Sequence, residues 1–327
     1  MIERTLSSRA HILSGSYDPA FARRVADLIG LPLEEVIITR FANSEIKAEV
    51  PAVRGDHVFV IQSHGAPVSE TILEQVAIIN AARRASARDI TAIVPYRGYG
   101  RADRPDNSHE SYMGPLVMRI LEAAGANRII EIDPHSGQSA GFLRDTSTEY
   151  TSIPSYPAIE EYITTHLIKG DKDNVCIVSP DSGRAKLNRR YAEYLSRPRA
   201  IVDKIRTGAN QSEVMTVIGD VTHMHCIMID DMIDTAGTII EGAEALKARG
   251  ARDITVIATH GIFSGPAVKR LTKAKQDGVL SHIVISDTLR LPSNTPKDLV
   301  EIITVTPLVA QAINNIFHDQ SVSDIYR

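Results

Sequence analysis

Cysteine is nearly absent: only Cys176 and Cys226 occur in 327 residues, each inside an apolar run, VCIVS and HCIMI. That leaves no material for a disulfide framework or a cysteine-based zinc site, and it suits a reducing, cytoplasmic setting. Long apolar runs are missing too, since none approaches the roughly 20 residues that span a bilayer. The N-terminal MIERTLSSRAHILSG carries charges in its first four residues and lacks a continuous apolar core, so no signal peptide is expected. A dominant charge is also missing: 36 Lys and Arg against 40 Asp and Glu leave a formal net charge of −4. Such a balance offers no global field for a polyanion, so neither nucleic acid nor a membrane is an expected partner. Glycine and proline, at 20 and 16, are too sparse for collagen or low-complexity disorder, and a 43% hydrophobic, 23% charged chain is globular in composition.

What is present is a succession of short β-branched runs: 57–62, 89–96, 128–133, 174–181, 199–204, 225–231, 253–260, 282–287 and 300–305. They read as strands. Between several of them lie helical spacings, such as Phe21, Val25, Leu28 and Ile29 after Asp18-Pro19, or Ile72, Val76 and Ile79 after Ser69. Strands apolar on both faces and alternating with helices imply an α/β protein with mainly parallel sheets, doubly wound, each covered on both sides. The string Ala-Arg-Asp-Ile-Thr occurs at 87–91 and again at 251–255, each time between a helical pattern and an apolar strand. This internal repeat implies a duplicated α/β domain. The boundary is expected in the Ser-, Thr- and Pro-rich segment 151–157, giving domains 1–153 and 154–327, with the last residues packing on the first domain. Two polar segments following strands, 97–110 and 205–212, read as functional loops at the strand ends where doubly wound sheets bind ligands.

The strongest chemical signal lies in residues 225–250. An apolar strand ends in Asp230 and Asp231, a turn Asp234-Thr235-Ala236-Gly237-Thr238 follows, and a helix begins near Thr238. A glycine-bearing turn entering a helix presents backbone N–H groups and the positive end of the helix dipole, as a phosphate cradle requires. The turn alone is equally an ordinary strand–helix connection. Acids beside it suit a ligand that also offers hydroxyls or a metal ion, as a sugar phosphate does. The pair His223 and His225 could share a strand face, yet no third ligand is evident nearby, and the start of a strand explains it.

The segment 230–238 resembles the ribose-phosphate-binding motif shared by type I phosphoribosyltransferases and ribose-phosphate pyrophosphokinases. Further segments resemble the pyrophosphokinases specifically: 41–45 (FANSE), 53–56 (VRGD), 133–135 (DPH), 178–183 (VSPDSG), 259–267 (THGIFSGPA) and 321–323 (SVS). The likeness covers almost the whole chain. It implies two phosphoribosyltransferase-like domains, nucleotide on the first and ribose phosphate on the second, and transfer of the β,γ-diphosphate of ATP to the C1 hydroxyl of ribose 5-phosphate with Mg2+. Thr235, Ala236, Gly237 and Thr238 would hold the 5-phosphate, with Asp230 and Asp231 on the ribose hydroxyls and Asp234 beside them. Phe41, Asn43, Glu45, Arg101 and Asp103 would bind ATP, the first three reaching into a neighbouring subunit of a homo-oligomer, a hexamer or smaller. His135 and Asp181 would lie at the metal, with His135, Lys204 and Arg206 catalytic.

Departures from the family pattern are also expected to matter. Ala102 stands where glutamine is usual, His109 where arginine is usual, and Arg184 where glycine is usual. They imply a retuned nucleotide half beside an intact ribose-phosphate half. Two other readings stay open: a type I phosphoribosyltransferase, which uses the same sugar phosphate as a donor, and a catalytically silent regulatory subunit of a synthetase complex.

Overall fold

The computed structural model describes residues 9–105, 107–144, 147–168, 174–205 and 214–326. They form two compact units, residues 1–155 with 288–290 and 305–327, and residues 156–287 with 291–304. The terminal helix thus belongs with the first unit.

The first unit is built on a sheet of β1 (Ala10–Ser14), β2 (Leu33–Glu34), β5 (His57–Ile61), β6 (Asp89–Val94), β7 (Arg128–Ile132) and β8 (Glu149–Ile153), in the order β2-β1-β5-β6-β7-β8. Every pairing is parallel. Between β2 and β5 a separate antiparallel hairpin forms from β3 (Ile37–Arg40) and β4 (Ile46–Glu49). Helices α1 (Pro19–Ile29), α2 (Val68–Arg84) and α3 (Met113–Ala124) provide the crossovers. Asp18 caps α1 by accepting from the Phe21 amide at 3.1 Å, as Asp before Pro at a helix start should.

The second unit repeats this plan. After α4 (Tyr156–Tyr162) come β9 (Val175–Ser179), α5 (Ala185–Tyr194), β10 (Arg199–Ile205), β11 (Val214–Ile218), β12 (His225–Ile233), α6 (Gly237–Ala248), β13 (Asp253–Gly261), α7 (Ala267–Gln276), β14 (His282–Ser286) and β15 (Glu301–Ile303). The sheet order is β11-β10-β9-β12-β13-β14-β15, parallel except for the β10–β11 edge pair. Helix α8 (Thr306–Phe317) and a 3-10 turn at Val322–Tyr326 follow β15 and belong with the first unit. Among the described residues no helix is long and apolar enough to cross a membrane.

The 97–110 segment is not wholly a solvated loop as its composition suggests. Arg97 is buried, paired with the Glu131 carboxylate on β7 and donating to Ser139 Oγ at 3.0 Å and the Gly114 carbonyl at 3.3 Å. A buried guanidinium is tolerable only with such a partner, and the partner lies on β7, not on β6, which Arg97 follows. The chain then folds back until Gly114 donates to the Ala102 carbonyl at 2.8 Å. A Cβ at Gly114 would stand 2.7 Å from that oxygen, so the close approach needs glycine.

Buried His64 gives this unit a pH dependence. Gln75 donates its amide to the Val60 and Ile93 carbonyls, which leaves its oxygen to accept from His64 Nε2 at 2.8 Å, while His64 Nδ1 accepts from the Gly98 amide at 3.3 Å. That network needs a neutral ring, and burial pushes the imidazole down to about 4. The folded pKa is depressed, so this stability is present above the unfolded value of roughly 6.5 and is lost as pH falls through about 4. Between those limits wild type should lose on the order of 3 kcal/mol more than His64→Gln. Urea melts of both proteins at several pH values read the difference; parallel stability curves would contradict a neutral buried His64.

Candidate active site

In the second unit the acids sit where β9 ends beside its parallel neighbour β12, which runs on to Ile233. Strands β9 and β12 run in register with Val178 opposite Met228. Asp181 follows the first partner, and Asp230 and Asp231 follow the second, so all three reach the carboxyl edge of one sheet, where open α/β sheets bind ligands. Buried Asn188 on α5 ties the two strands, donating to the Ile229 carbonyl at 3.0 Å and Ser179 Oγ at 3.4 Å. Burial and the adjacent Asp231 push the Asp230 carboxyl up to about 8.

The turn after β12 is supported from below. The amides of Ile262 and Phe263 donate to the Ile233 carbonyl at 3.0 and 3.1 Å, and Ser264 donates to the Asp234 carbonyl at 3.0 Å. Ala236 adopts the left-handed conformation, φ 63°, and Gly237 opens α6, whose start has no side-chain cap. Thr235 and Thr238 are exposed. The first amides of α6 lack intrahelical acceptors and point out of the helix start, as an anion site requires.

Two cations at this site were not assigned to it from sequence. Arg270 Nη1 donates to the Thr235 carbonyl at 3.1 Å, bringing positive charge to the turn; no sequence signal marked it. Arg184 corrects an expectation. Instead of lying with the first-unit residues expected to bind nucleotide, it meets the acids expected to bind ribose: its Nη2 pairs with Asp231 Oδ2, and its Nε is 3.5 Å from Asp230 Oδ1. Arg184 reaches the acids because β9 and β12 are neighbours. That adjacency puts the β9–α5 connection against the acids.

The sequence-selected ATP-binding residues and His135 lie in the first unit. Phe41, Asn43 and Glu45 occupy the exposed tip of the β3–β4 hairpin, closed by the Phe41 amide on the Glu45 carbonyl at 2.9 Å and the Glu45 amide on Asn43 Oδ1 at 3.2 Å. Phe41 is 49% exposed. Arg101 is exposed and Asp103 half-buried in the segment after β6. His135, exposed beyond β7, lies beside Gly100, the neighbour of Arg101, with its Cβ 4.0 Å from where a Gly100 Cβ would stand. The side chain of Lys204 and the whole of Arg206 lie outside the described residues.

Residues 10–125 match the N-terminal domain of ribose phosphate pyrophosphokinase, and residues 199–327 match the phosphoribosyl synthetase-associated domain. The ribose-phosphate pyrophosphokinase of Fusobacterium nucleatum is 40% identical over 316 residues, 96% of this chain and 97% of its own. Ribose-phosphate pyrophosphokinase 1 of Spinacia oleracea is 39% identical over 322 residues, 98% of this chain and 93% of its own. The crystal structure of phosphoribosylpyrophosphate synthetase from Mycobacterium smegmatis superposes with a TM-score of 0.86 at 32% identity, covering 95% of this chain and 99% of that one. Likeness of this depth over nearly the full length of both partners makes the chain an enzyme of the ribose-phosphate pyrophosphokinase family.

Proposed function

We propose that this enzyme transfers the β,γ-diphosphate of ATP to the C1 hydroxyl of ribose 5-phosphate. A bond forms from the C1 oxygen to the β-phosphorus, the bond from that phosphorus to the oxygen bridging it to the α-phosphorus breaks, and AMP leaves with that oxygen. The hydroxyl proton passes to solvent or a nearby base. The observation that carries the reading is the meeting, at one sheet edge, of Asp181, Asp230, Asp231 and a turn that opens a helix. Thr235 to Thr238 hold the 5-phosphate by backbone amides, Asp230 and Asp231 accept from the ribose hydroxyls, and Asp234 stands beside them. Arg101, Asp103 and the hairpin residues Phe41, Asn43 and Glu45 take ATP. Lys204 and Arg206 stabilise charge on the transferring diphosphate, and His135 orients it.

Mg2+ suits this donor set. Among the described residues no group of three or more His, Cys, Asp and Glu could hold a metal by protein alone. Magnesium commonly takes one or two carboxylates and completes its shell with water and substrate phosphates, and exposed Asp181 supplies such an oxygen. Asp181 in the second unit and His135 in the first are the residues the family resemblance assigns to it, and when bound it would screen the phosphate oxygens. Both cysteines are buried and unbridged, which supports a reducing, cytoplasmic compartment.

The test is AMP release from ATP and Mg2+ with and without ribose 5-phosphate. Sugar-dependent AMP is expected; its absence would leave the silent-subunit reading. The exposed hairpin tip supports a nucleotide site completed between copies of a homo-oligomer, a hexamer or smaller. Specific activity should then fall on dilution through the range where light scattering reports dissociation. A fully active monomer would exclude the shared site.

A further inference from the structure

Asp231 is 5% exposed, Asp230 17% and Arg184 19%, so the guanidinium and the acid pair form one largely buried ion-paired cluster. Its backbone is fixed: the Arg184 amide donates to Asp181 Oδ1 at 2.8 Å, and its carbonyl accepts from the Asn188 amide at 3.0 Å and from Asn188 Nδ2 at 3.2 Å. The long side chain extends from that anchor to the acids. A guanidinium has only donors, and the oxygens it covers are the acceptors a sugar hydroxyl needs. Asp230 Oδ1 is further engaged by the Asp231 amide at 2.8 Å, which turns it toward the same side chain. Burial and the neighbouring Asp231 raise the Asp230 carboxyl, so a full double negative charge on the pair is disfavoured and one arginine suits it.

We propose that Arg184 is a specificity-determining residue: its guanidinium guards the Asp230–Asp231 pair and is displaced by a vicinal diol of the sugar phosphate. Two hydroxyl donors together replace what the guanidinium gave the carboxylates. A sugar phosphate lacking one of those hydroxyls leaves an acceptor unmatched and opens the pair poorly. The inference rests on the assignment of the acid pair to ribose made above.

Calorimetric titration of wild type, Arg184→Gly, Arg184→Gln and Asp231→Asn with ribose 5-phosphate and 2-deoxyribose 5-phosphate tests it. With no ion pair to break, R184G should bind ribose 5-phosphate about tenfold tighter, the scale of one charge-assisted hydrogen bond. Its preference for ribose over 2-deoxyribose should narrow by a similar factor. R184Q keeps a donor without the charge, guards against loss of fold, and should shift both quantities the same way by less. A merely structural arginine would move affinity in the opposite direction. Affinity that is unchanged or weaker in both variants, with D231N defective, overturns the role of Arg184 alone. A wild type that binds no ribose 5-phosphate, or a D231N that binds it normally, overturns the assignment of the acid pair and this inference with it.

Discussion

Lys204→Ala should lower kcat by on the order of a hundredfold or more, with the KM values for ATP and ribose 5-phosphate little changed. Diphosphoryl transfer asks for little covalent help and much electrostatic help, because charge accumulates on the oxygens around the β-phosphorus as the bond to AMP breaks. A cation brought to those oxygens is worth more in the transition state than in the ground state, so its loss falls on turnover. Lys204 is the penultimate residue of β10, opposite Met215 of the antiparallel partner β11, at the edge pair that breaks the parallel pattern of its sheet. Steady-state kinetics decide the matter, and near-normal kcat in the variant would remove Lys204 from the mechanism. If Lys204 and Arg206 act on the same developing charge, the double variant should cost much less than the product of the two single losses.

Legibility of the fold followed burial. The runs at 57–62, 89–96, 225–231 and 253–260 were readable because their strands lie inside parallel sheets and are apolar on both faces. The repeat was a reliable guide: β6 and β13 each begin on the aspartate of Ala-Arg-Asp-Ile-Thr, and the six-strand order of the first sheet matches β10-β9-β12-β13-β14-β15 of the second. Even the turn before the repeat is shared, with Ser86 at φ 67° and Gly250 at φ 85° ending the preceding helices. Strands that are short or face solvent escaped notice. β3 and β4 are four-residue strands with exposed positions, and β8 is half-buried and rich in Thr and Ser, so part of it read as a linker.

The acids and the turn at 230–238 were legible because they are contiguous. Arg184 was legible only as a departure from a pattern. Its partners lie on β12, and only the β9–β12 adjacency brings them into reach. Buried Arg97 was misread for the same reason, since its counter-ion Glu131 is on β7. In both cases composition gave the charge but not its partner.

Asp231→Ala should impair ribose 5-phosphate use severely while leaving direct ATP binding within a few-fold of wild type. A carboxylate accepting from a sugar hydroxyl contributes roughly 1.5–3 kcal/mol, so kcat/KM for the sugar should fall on the order of 10- to 150-fold. The same change strips Arg184 of its closest counter-ion at a site only 5% exposed on the acid side. Breaking a buried pair from one end costs stability because the remaining charge is left unpaired, and Asp230, 3.5 Å from Arg184 Nε, would take over part of that role. The melting temperature of D231A should therefore drop, and adding Arg184→Gly should restore part of it. The sugar defect should persist in the double variant, since the acceptor is still missing. Melting temperatures, sugar kinetics and nucleotide calorimetry on the two single variants and the double variant separate the two roles of Asp231. ATP binding lost with normal sugar kinetics would mean that the two half-sites had been assigned the wrong way round. Full recovery of sugar use in the double variant would mean that Asp231 serves only to hold the arginine.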